Sequence, residues 1–220
     1  MKFFRENGLS LTLFGLFALS LAGQYLSGWH EYNEDQEMHR RPTVTAIQYL
    51  GEGHFWEALF ENWESEFLQM AAYILLTVFL FQKGASDSKR PDATERVDRL
   101  LPKKWRPDDS PWPVKRGGLI LTIYENSLSL ALVGLFVSSF VLHGVAGAAA
   151  YNAEQTEHGR ATVSTLEYME TSTFWFESFQ NWQSEFLSIG VLVVLSIFLR
   201  QKGSPESKPV DAPHSETGKS

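Results

Sequence analysis

Long apolar stretches alternate with polar stretches along this chain, and the whole alternation occurs twice. The first member of each pair (residues 9–29 and 128–150) has the length of about 20 residues that a membrane-crossing helix needs. The second member is shorter, but it reaches about 19 residues when it is extended back to Trp63 or to Trp182. The pattern therefore predicts four transmembrane helices, at about 9–29, 63–81, 128–150 and 182–200.

The two halves are also alike residue by residue. Residues 6–89 align without a gap onto residues 125–208, with 36 identities in 84 positions. Self-similarity of this kind is typical of a tandem duplication, and two units that each cross the membrane twice are parallel repeats. We therefore expect an all-α membrane protein. Its four transmembrane helices would come from two tandem parallel two-helix repeats, with short amphipathic extracytoplasmic helices between them.

The polar stretches divide the chain into four parts. The prediction is repeat 1 at 1–83 with an outward segment at 30–62, a linker at 84–118, repeat 2 at 119–203 with an outward segment at 151–181, and a tail at 204–220. The linker is rich in proline and in charges of both signs, and the tail is polar. Because neither composition can bury an apolar core, we expect a mobile linker and a disordered tail, both cytoplasmic.

The distribution of positive charge predicts the orientation. Of 19 Lys and Arg residues, only Arg40, Arg41 and Arg160 lie in the two outward segments. Cytoplasmic loops of membrane proteins carry the excess of Lys and Arg. Both termini and the linker are therefore expected in the cytoplasm.

The first apolar stretch has a second interpretation. Lys2 and Arg5 lie before the apolar residues, and the sequence Ser-Leu-Ala lies just before Gly23, as at the cleavage site of a signal peptide. The same stretch recurs inside the chain at 128–147, where a signal peptide has no place. The duplication therefore favours a retained transmembrane helix, with cleavage as the alternative.

Two basic clusters of the linker, at 102–106 and 115–117, flank tryptophans. Contact with anionic lipid head groups is one interpretation of such clusters. The other is the ordinary positive charge that sets topology.

The outward segments hold the densest identity between the halves. Tyr32, Gln36 and His39 share one face of a helix, and their counterparts are Tyr151, Gln155 and His158. Further on, Trp56 and Trp63 are seven residues apart, as are Trp175 and Trp182. Because indole rings favour the membrane–water interface, we expect these four tryptophans to be interfacial anchors.

One repeated motif could carry chemistry. Asn62 and Glu66 lie four residues apart, and so do Asn181 and Glu185. Brought together, the two carboxylates could bind a cation or carry a proton, since like charges in apolar surroundings perturb each other's ionisation. The alternative is structural, because Asn and Glu also satisfy free N–H groups in the first turn of a helix.

No cofactor and no resident metal are expected. Cysteine is absent, which excludes disulfides, thiolate nucleophiles and cysteine-based metal sites. His39 and His158, with the nearby Glu37, Glu157, His30 and His54, do not have the spacing of known histidine metal sites. Nucleotide-binding, catalytic-triad and haem-attachment motifs are also missing, which argues against an enzyme.

The duplicated Tyr-Asn-x-x-Gln-x-x-His and Phe-Trp…Asn-Trp-x-Ser-Glu-Phe-Leu pattern, closing with Gln-Lys-Gly, resembles an uncharacterised bacterial integral membrane protein family. The resemblance covers nearly the whole chain except the linker and tail. It implies a location in the bacterial inner (plasma) membrane and no known activity. The leading hypothesis is thus a non-catalytic structural, accessory or regulatory membrane protein. We expect the lipid bilayer, a second copy or another membrane protein as partner, and no nucleic acid. The alternative is a small transporter or ion-conducting protein that uses the paired carboxylates; a weaker one is outward metal binding.

Overall fold

The computed structural model describes residues 2–100 and 109–218. Most of these residues are helical, and none of them is in a strand. The helices are α1 (Lys2–Met38), α2 (Ala46–Tyr49), α3 (Gly53–Phe79), α4 (Trp112–Arg116), α5 (Gly118–Glu125), α6 (Ser127–Glu157), α7 (Thr165–Met169) and α8 (Ser172–Phe198). A 3₁₀ turn lies at Arg96–Asp98. The all-α expectation is confirmed.

Three helices are long and apolar enough to cross a membrane: α1, α6 and α8. The helix α3 has 27 residues but is not among them. Its first half contains four carboxylates, at Glu57, Glu61, Glu64 and Glu66, and these polar residues offset the apolar second half.

The connection between α1 and α2 has the same local structure as the connection between α6 and α7. Arg40 and Gly159 both have a left-handed backbone, with φ of 57° and 63°, and each ends a long helix. Thr45 then begins α2 through a capping box with Gln48, and Ser164 begins α7 in the same way. Such a box satisfies N–H groups at the start of a helix, so the chain turns at the same point in both segments.

The described residues divide into two compact units. The first contains residues up to Phe60 together with Leu142–Phe174, and the second contains the rest. In the first unit the start of α3 packs on the end of α6. A Cβ atom on Gly53 would lie 2.7 Å from the backbone nitrogen of Ala150 and 2.9 Å from the carbonyl oxygen of Ala146. Only glycine allows so close an approach of two backbones.

In the second unit, residues 204–218 form hydrogen bonds with the chain near Gly84 and among themselves. The backbone N–H of Gly84 donates to the Thr217 hydroxyl at 2.8 Å, and that of Gly218 donates to the Ala85 carbonyl at 3.0 Å. The Ser86 hydroxyl also donates to the Glu206 carbonyl at 3.1 Å. Specific hydrogen bonds replace the apolar core that the tail composition lacks.

Lys208 is the central residue of this tail. Its side chain is buried, and its ammonium group donates to the carbonyl oxygens of Pro213, His214 and Glu216 at 3.3, 3.2 and 2.9 Å. Burial lowers the pKa of Lys208, and the positive charge of Arg200 lowers it further. A buried ammonium is retained because three carbonyl oxygens replace its water shell.

We expect Lys208→Met to release the tail, because three carbonyl oxygens then lose their donor. Limited proteolysis of the protein in detergent should cleave the tail of this variant at least about tenfold faster than that of the parent, which corresponds to about 1.4 kcal/mol of local stability. Lys202→Met, at an exposed position of the same segment, is the control and should leave the rate unchanged. Equal cleavage rates in all three proteins would contradict the role of Lys208.

The described parts of the linker contain the 3₁₀ turn and α4. The ammonium group of Lys89 pairs with Asp98 at 2.7 Å, which holds the 3₁₀ turn against the preceding chain. The expected basic cluster at 102–106 lies outside the described residues. The second cluster, at 115–117, ends α4.

Candidate functional site

Each outward segment is closed by one asparagine, which we call the asparagine clamp. The side-chain amide of Asn33 donates to the Val44 carbonyl at 2.9 Å, and its oxygen accepts from the Val44 N–H at 2.7 Å. Asn152 and Val163 form the same two bonds, both at 2.8 Å. The asparagine side chain thus bonds both the N–H and the carbonyl group of one valine, as the backbone of a neighbouring strand would. These two bonds fix the loop on the preceding helix.

A buried tyrosine lies behind each clamp. Tyr49 is 1% exposed and Tyr168 is 0% exposed. Tyr49 packs on Tyr32 with ring centroids 5.5 Å apart and planes at 46°, and Tyr168 packs on Tyr151 with the same two values. Both rings also require a glycine on the long helix, because a Cβ atom on Gly28 or Gly147 would lie 2.6 Å from the tyrosine. The sequence identity of these positions therefore has a packing cause.

The two tyrosines differ in their polar partners. The Tyr49 hydroxyl is hydrogen-bonded to Nδ1 of His54 at 2.8 Å, and Nε2 of that histidine lies 3.4 Å from the Glu31 carboxylate. The Tyr168 hydroxyl instead donates to the carboxylate of Glu57 at 3.2 Å. This last bond joins the two outward segments within the first unit.

A second link between the outward segments is ionic. The guanidinium group of Arg41 pairs with the Glu157 carboxylate, and both side chains are about one quarter exposed, at 26% and 28%. A partly buried arginine–carboxylate pair is stronger than a fully exposed one. Both links join residues that are more than 100 positions apart in the chain, and neither follows from the spacing of the motifs.

The pKa of Tyr49 is raised to about 12, mainly by burial and also by the negative charge of Glu31. The folded chain therefore holds the phenolic proton more tightly than the unfolded chain. The resulting stability is complete below about pH 10, where unfolded tyrosine begins to ionise, and is lost as the pH rises through about 12.

We thus expect the unfolding temperature to fall steeply between about pH 10 and pH 12. Tyr49→Phe, which cannot ionise, should show a shallower decline over that range, although it is less stable at neutral pH. Thermal unfolding in detergent, followed by circular dichroism, measures both profiles. Parallel profiles for the parent and the variant would show that ionisation of Tyr49 does not cause the loss of stability at high pH.

The predicted outward-face residues lie in the first unit, where they make contacts within the chain. Gln36 and Gln155 are buried, and each is 8% exposed. Nδ1 of His39 lies 2.9 Å from the Asp35 carbonyl, and Nδ1 of His158 lies 2.9 Å from the Glu154 carbonyl. Each histidine thus bonds a carbonyl of its own helix end. The Tyr32 hydroxyl donates to Glu52 at 3.2 Å.

The paired polar motif lies in the second unit. Glu66 and Glu185 are close enough for the charge of Glu66 to act on Glu185. Asn62 is exposed, and its backbone carbonyl accepts from the Ser65 hydroxyl at 2.9 Å. Asn181 does not contact either of these carboxylates; its amide donates to Glu61 and to its own helix, at the Glu177 carbonyl, 3.2 Å away.

Sequence reasoning missed two carboxylates of this region. Glu61 accepts from Asn181, and Glu64, which is 0% exposed, accepts from the indole N–H of Trp182 at 2.8 Å. Gln180 and Gln183 occupy the equivalent positions in the other half. Comparing the two halves draws attention to positions that are identical in both. Glu61 and Glu64 are not identical to their counterparts, so the comparison does not reveal their hydrogen bonds to Asn181 and Trp182.

The four predicted anchors are in different surroundings. Trp56 is 38% exposed, donates to the Leu50 carbonyl at 2.8 Å and stacks on Phe60. Trp63 is half-buried. Trp175 is 39% exposed, while the half-buried Trp182 packs among aromatic rings of the second unit. The rings within 6.5 Å of Trp182 are those of Phe136, Phe140, Trp175 and Phe179.

Within residues 2–100 and 109–218, no group of three or more His, Asp or Glu side chains is arranged to hold a metal ion. His39 and His158 each bond a backbone carbonyl, as described above. The polar chemistry of the described residues is therefore that of hydrogen-bonded carboxylates, amides and tyrosines.

Comparison with other proteins identifies a family but no activity. The chain matches no curated protein and no solved structure. The match to the family extends over residues 1–219, which includes both halves, the linker and nearly all of the tail. The chain belongs to the family described as a domain of unknown function, DUF6766.

Proposed function

We propose that this chain is a non-catalytic membrane protein with a structural, accessory or regulatory role, built from two tandem parallel repeats that cross a bacterial inner membrane four times. In this proposal α3 is the fourth crossing. Both termini and the linker are cytoplasmic, and residues 30–62 and 151–181 face outward. Three helices with the length and apolar character of membrane spans support this assignment, as does the excess of Lys and Arg outside the outward segments.

The observation that carries the structural role is the repeated asparagine clamp with its buried tyrosine. In both outward segments the residues that are identical between the halves hold a loop on a helix. The side-chain amides of Asn33 and Asn152 bond to backbone groups of their own segment, which is a structural use of these residues. Their arrangement supports a rigid outward face that would contact a second copy or another membrane protein.

The topology can be tested with single cysteines, because the natural chain has none. We expect a membrane-impermeant maleimide to label Thr43→Cys and Thr162→Cys in intact spheroplasts. Ala93→Cys and Ser204→Cys should react only after permeabilisation. If α3 does not cross the membrane, Ala93→Cys will be labelled in intact spheroplasts and Thr162→Cys will not, and the four-crossing proposal fails.

The second candidate function is ion or proton transport, and the presence of the repeated carboxylates Glu66 and Glu185 in the same unit favours it. The two functions separate in liposomes of defined composition. The structural role predicts no ion or proton flux above that of protein-free liposomes. Flux that is present in the parent and lost in Glu66→Gln/Glu185→Gln, but retained in the control Glu154→Gln/Glu170→Gln, would overturn the structural role in favour of transport.

A further inference from the structure

A pocket of about 360 Å³ lies in the first unit, at the clamp of the first half. This volume is at the lower end of the range for small-molecule sites. We call it the Trp29 pocket. It is lined by Trp29, His30, Asn33, Glu34, Glu37, Thr43, Val44 and Thr45.

The walls of the Trp29 pocket are held in place by the fold. The indole N–H of Trp29 donates to the Val44 carbonyl at 2.7 Å, and Asn33 clamps the same residue. The ring of His30 lies against that of Trp29, with centroids 4.7 Å apart. The pocket therefore has a fixed aromatic side before any ligand binds, which reduces the entropic cost of binding.

The acidic side of the pocket is formed by Glu34 and Glu37. They are exposed, and in the part of the chain that the structure describes neither carboxylate forms an ion pair. Arg41 is paired with Glu157 instead, and within the described ranges Arg40 forms no ion pair with either carboxylate. Two carboxylates without a counterion thus lie beside an aromatic wall and the hydroxyl-bearing Thr43.

The second half provides an internal comparison. It has the same clamp, the same capping box and the same buried tyrosine. At the positions of Trp29, His30, Glu34 and Glu37, however, it has Ala148, Ala149, Ala153 and Thr156. Because the frame forms there without these side chains, the aromatic and acidic residues of the first half are not required by the local fold.

We infer that the Trp29 pocket binds a small organic cation with a primary ammonium group. An ammonium ion is attracted to the face of an indole ring and to carboxylates. A primary ammonium also has three N–H donors, which match the acceptor oxygens of Glu34, Glu37 and Thr43. This inference goes beyond the structural role, and it does not depend on the number of membrane crossings.

Isothermal titration calorimetry of the full chain in detergent at low ionic strength, with putrescine as the probe, tests the site. We expect one equivalent of putrescine per chain. Glu34→Gln/Glu37→Gln should weaken binding at least about tenfold, since each charge-assisted bond is replaced by a weaker neutral one. Both residues are exposed, so this variant should keep the parent's unfolding temperature.

The control removes two negative charges from Leu142–Phe174, the part of the first unit that comes from the second half of the chain. Glu154→Gln/Glu170→Gln should bind putrescine as the parent does, because these exposed carboxylates are not in the pocket.

Three results would overturn the inference. The first is the absence of saturable putrescine binding. The second is an equal loss of affinity in the two double glutamine variants, which would indicate general attraction by a negative surface. The third is Mg²⁺ binding to the parent as tightly as putrescine, which would assign the carboxylates to an inorganic cation. Each result concerns binding only, so it is distinguishable from failure of the proposed topology or structural role.

Discussion

Gly53→Ala should destabilise the first unit by about 1–3 kcal/mol, the usual cost of overpacking a tight contact. The new methyl group would lie 2.7 Å from the backbone nitrogen of Ala150 and 2.9 Å from the carbonyl oxygen of Ala146. Backbone atoms of a regular helix cannot move aside as the end of a side chain can. The start of α3 would therefore separate from α6. Thermal unfolding of the purified protein in detergent measures the effect.

Gly134→Ala is the matched control for this substitution. Gly134 also lies in a long helix, but no atom lies within 4 Å of its added methyl group. This variant should be as stable as the parent or more stable by up to about 1 kcal/mol, because alanine favours a helix. If both alanine variants unfold at the same temperature as the parent, the close contact of α3 with α6 does not exist in solution.

Asn152→Ala should also cost about 1–3 kcal/mol, because it leaves the N–H and carbonyl groups of Val163 without their partner. Asn152→Asp keeps an acceptor for the N–H but loses the donor to the carbonyl, so it should fall between alanine and the parent. Hydrogen exchange of the amide of Val163 reports the clamp directly. That amide should exchange at least about tenfold faster in the alanine variant.

The first clamp allows the same measurement independently. Asn33→Ala should produce the same loss at Val44, and the double variant should show the sum of the two losses within about 0.5 kcal/mol, because the clamps share no partner. Asn7→Ala is the control. Asn7 bonds only to a carbonyl of its own helix at an exposed position. A loss from Asn7→Ala as large as that from Asn152→Ala would contradict the clamp.

The clamps show which part of the local structure the sequence could predict. Tyr32, Asn33 and Val44 are identical to Tyr151, Asn152 and Val163, so the repeated segment is visible in the sequence. The hydrogen bonds of this asparagine are not visible in the sequence, because its partner lies 11 residues away across a turn. A left-handed residue at Arg40 closes that turn. In the other half a glycine has this role, so comparing the halves does not reveal it.

The tail shows contacts that its composition does not predict. Its polar, proline-containing residues indicate disorder when apolar burial is the criterion. Lys208 and Thr217 instead hold the tail by hydrogen bonds to backbone groups, including those of residues 213–216 and of Gly84. Such bonds depend on three-dimensional closure of the loop, and residue composition does not encode them.

The sequence alone determined the helical class, the helices apolar enough to enter a membrane and the two alike halves, because hydrophobic periodicity and identity act along the chain. The tertiary structure decided which polar groups meet. It pairs Arg41 with Glu157 and Tyr168 with Glu57, and it forms a pocket of aromatic and acidic side chains at the clamp of the first half. The physical reason is the separation along the sequence over which each kind of interaction acts. Burial patterns are local in sequence, whereas hydrogen bonds and ion pairs need atoms within about 3–4 Å, and folding brings them together from distant positions.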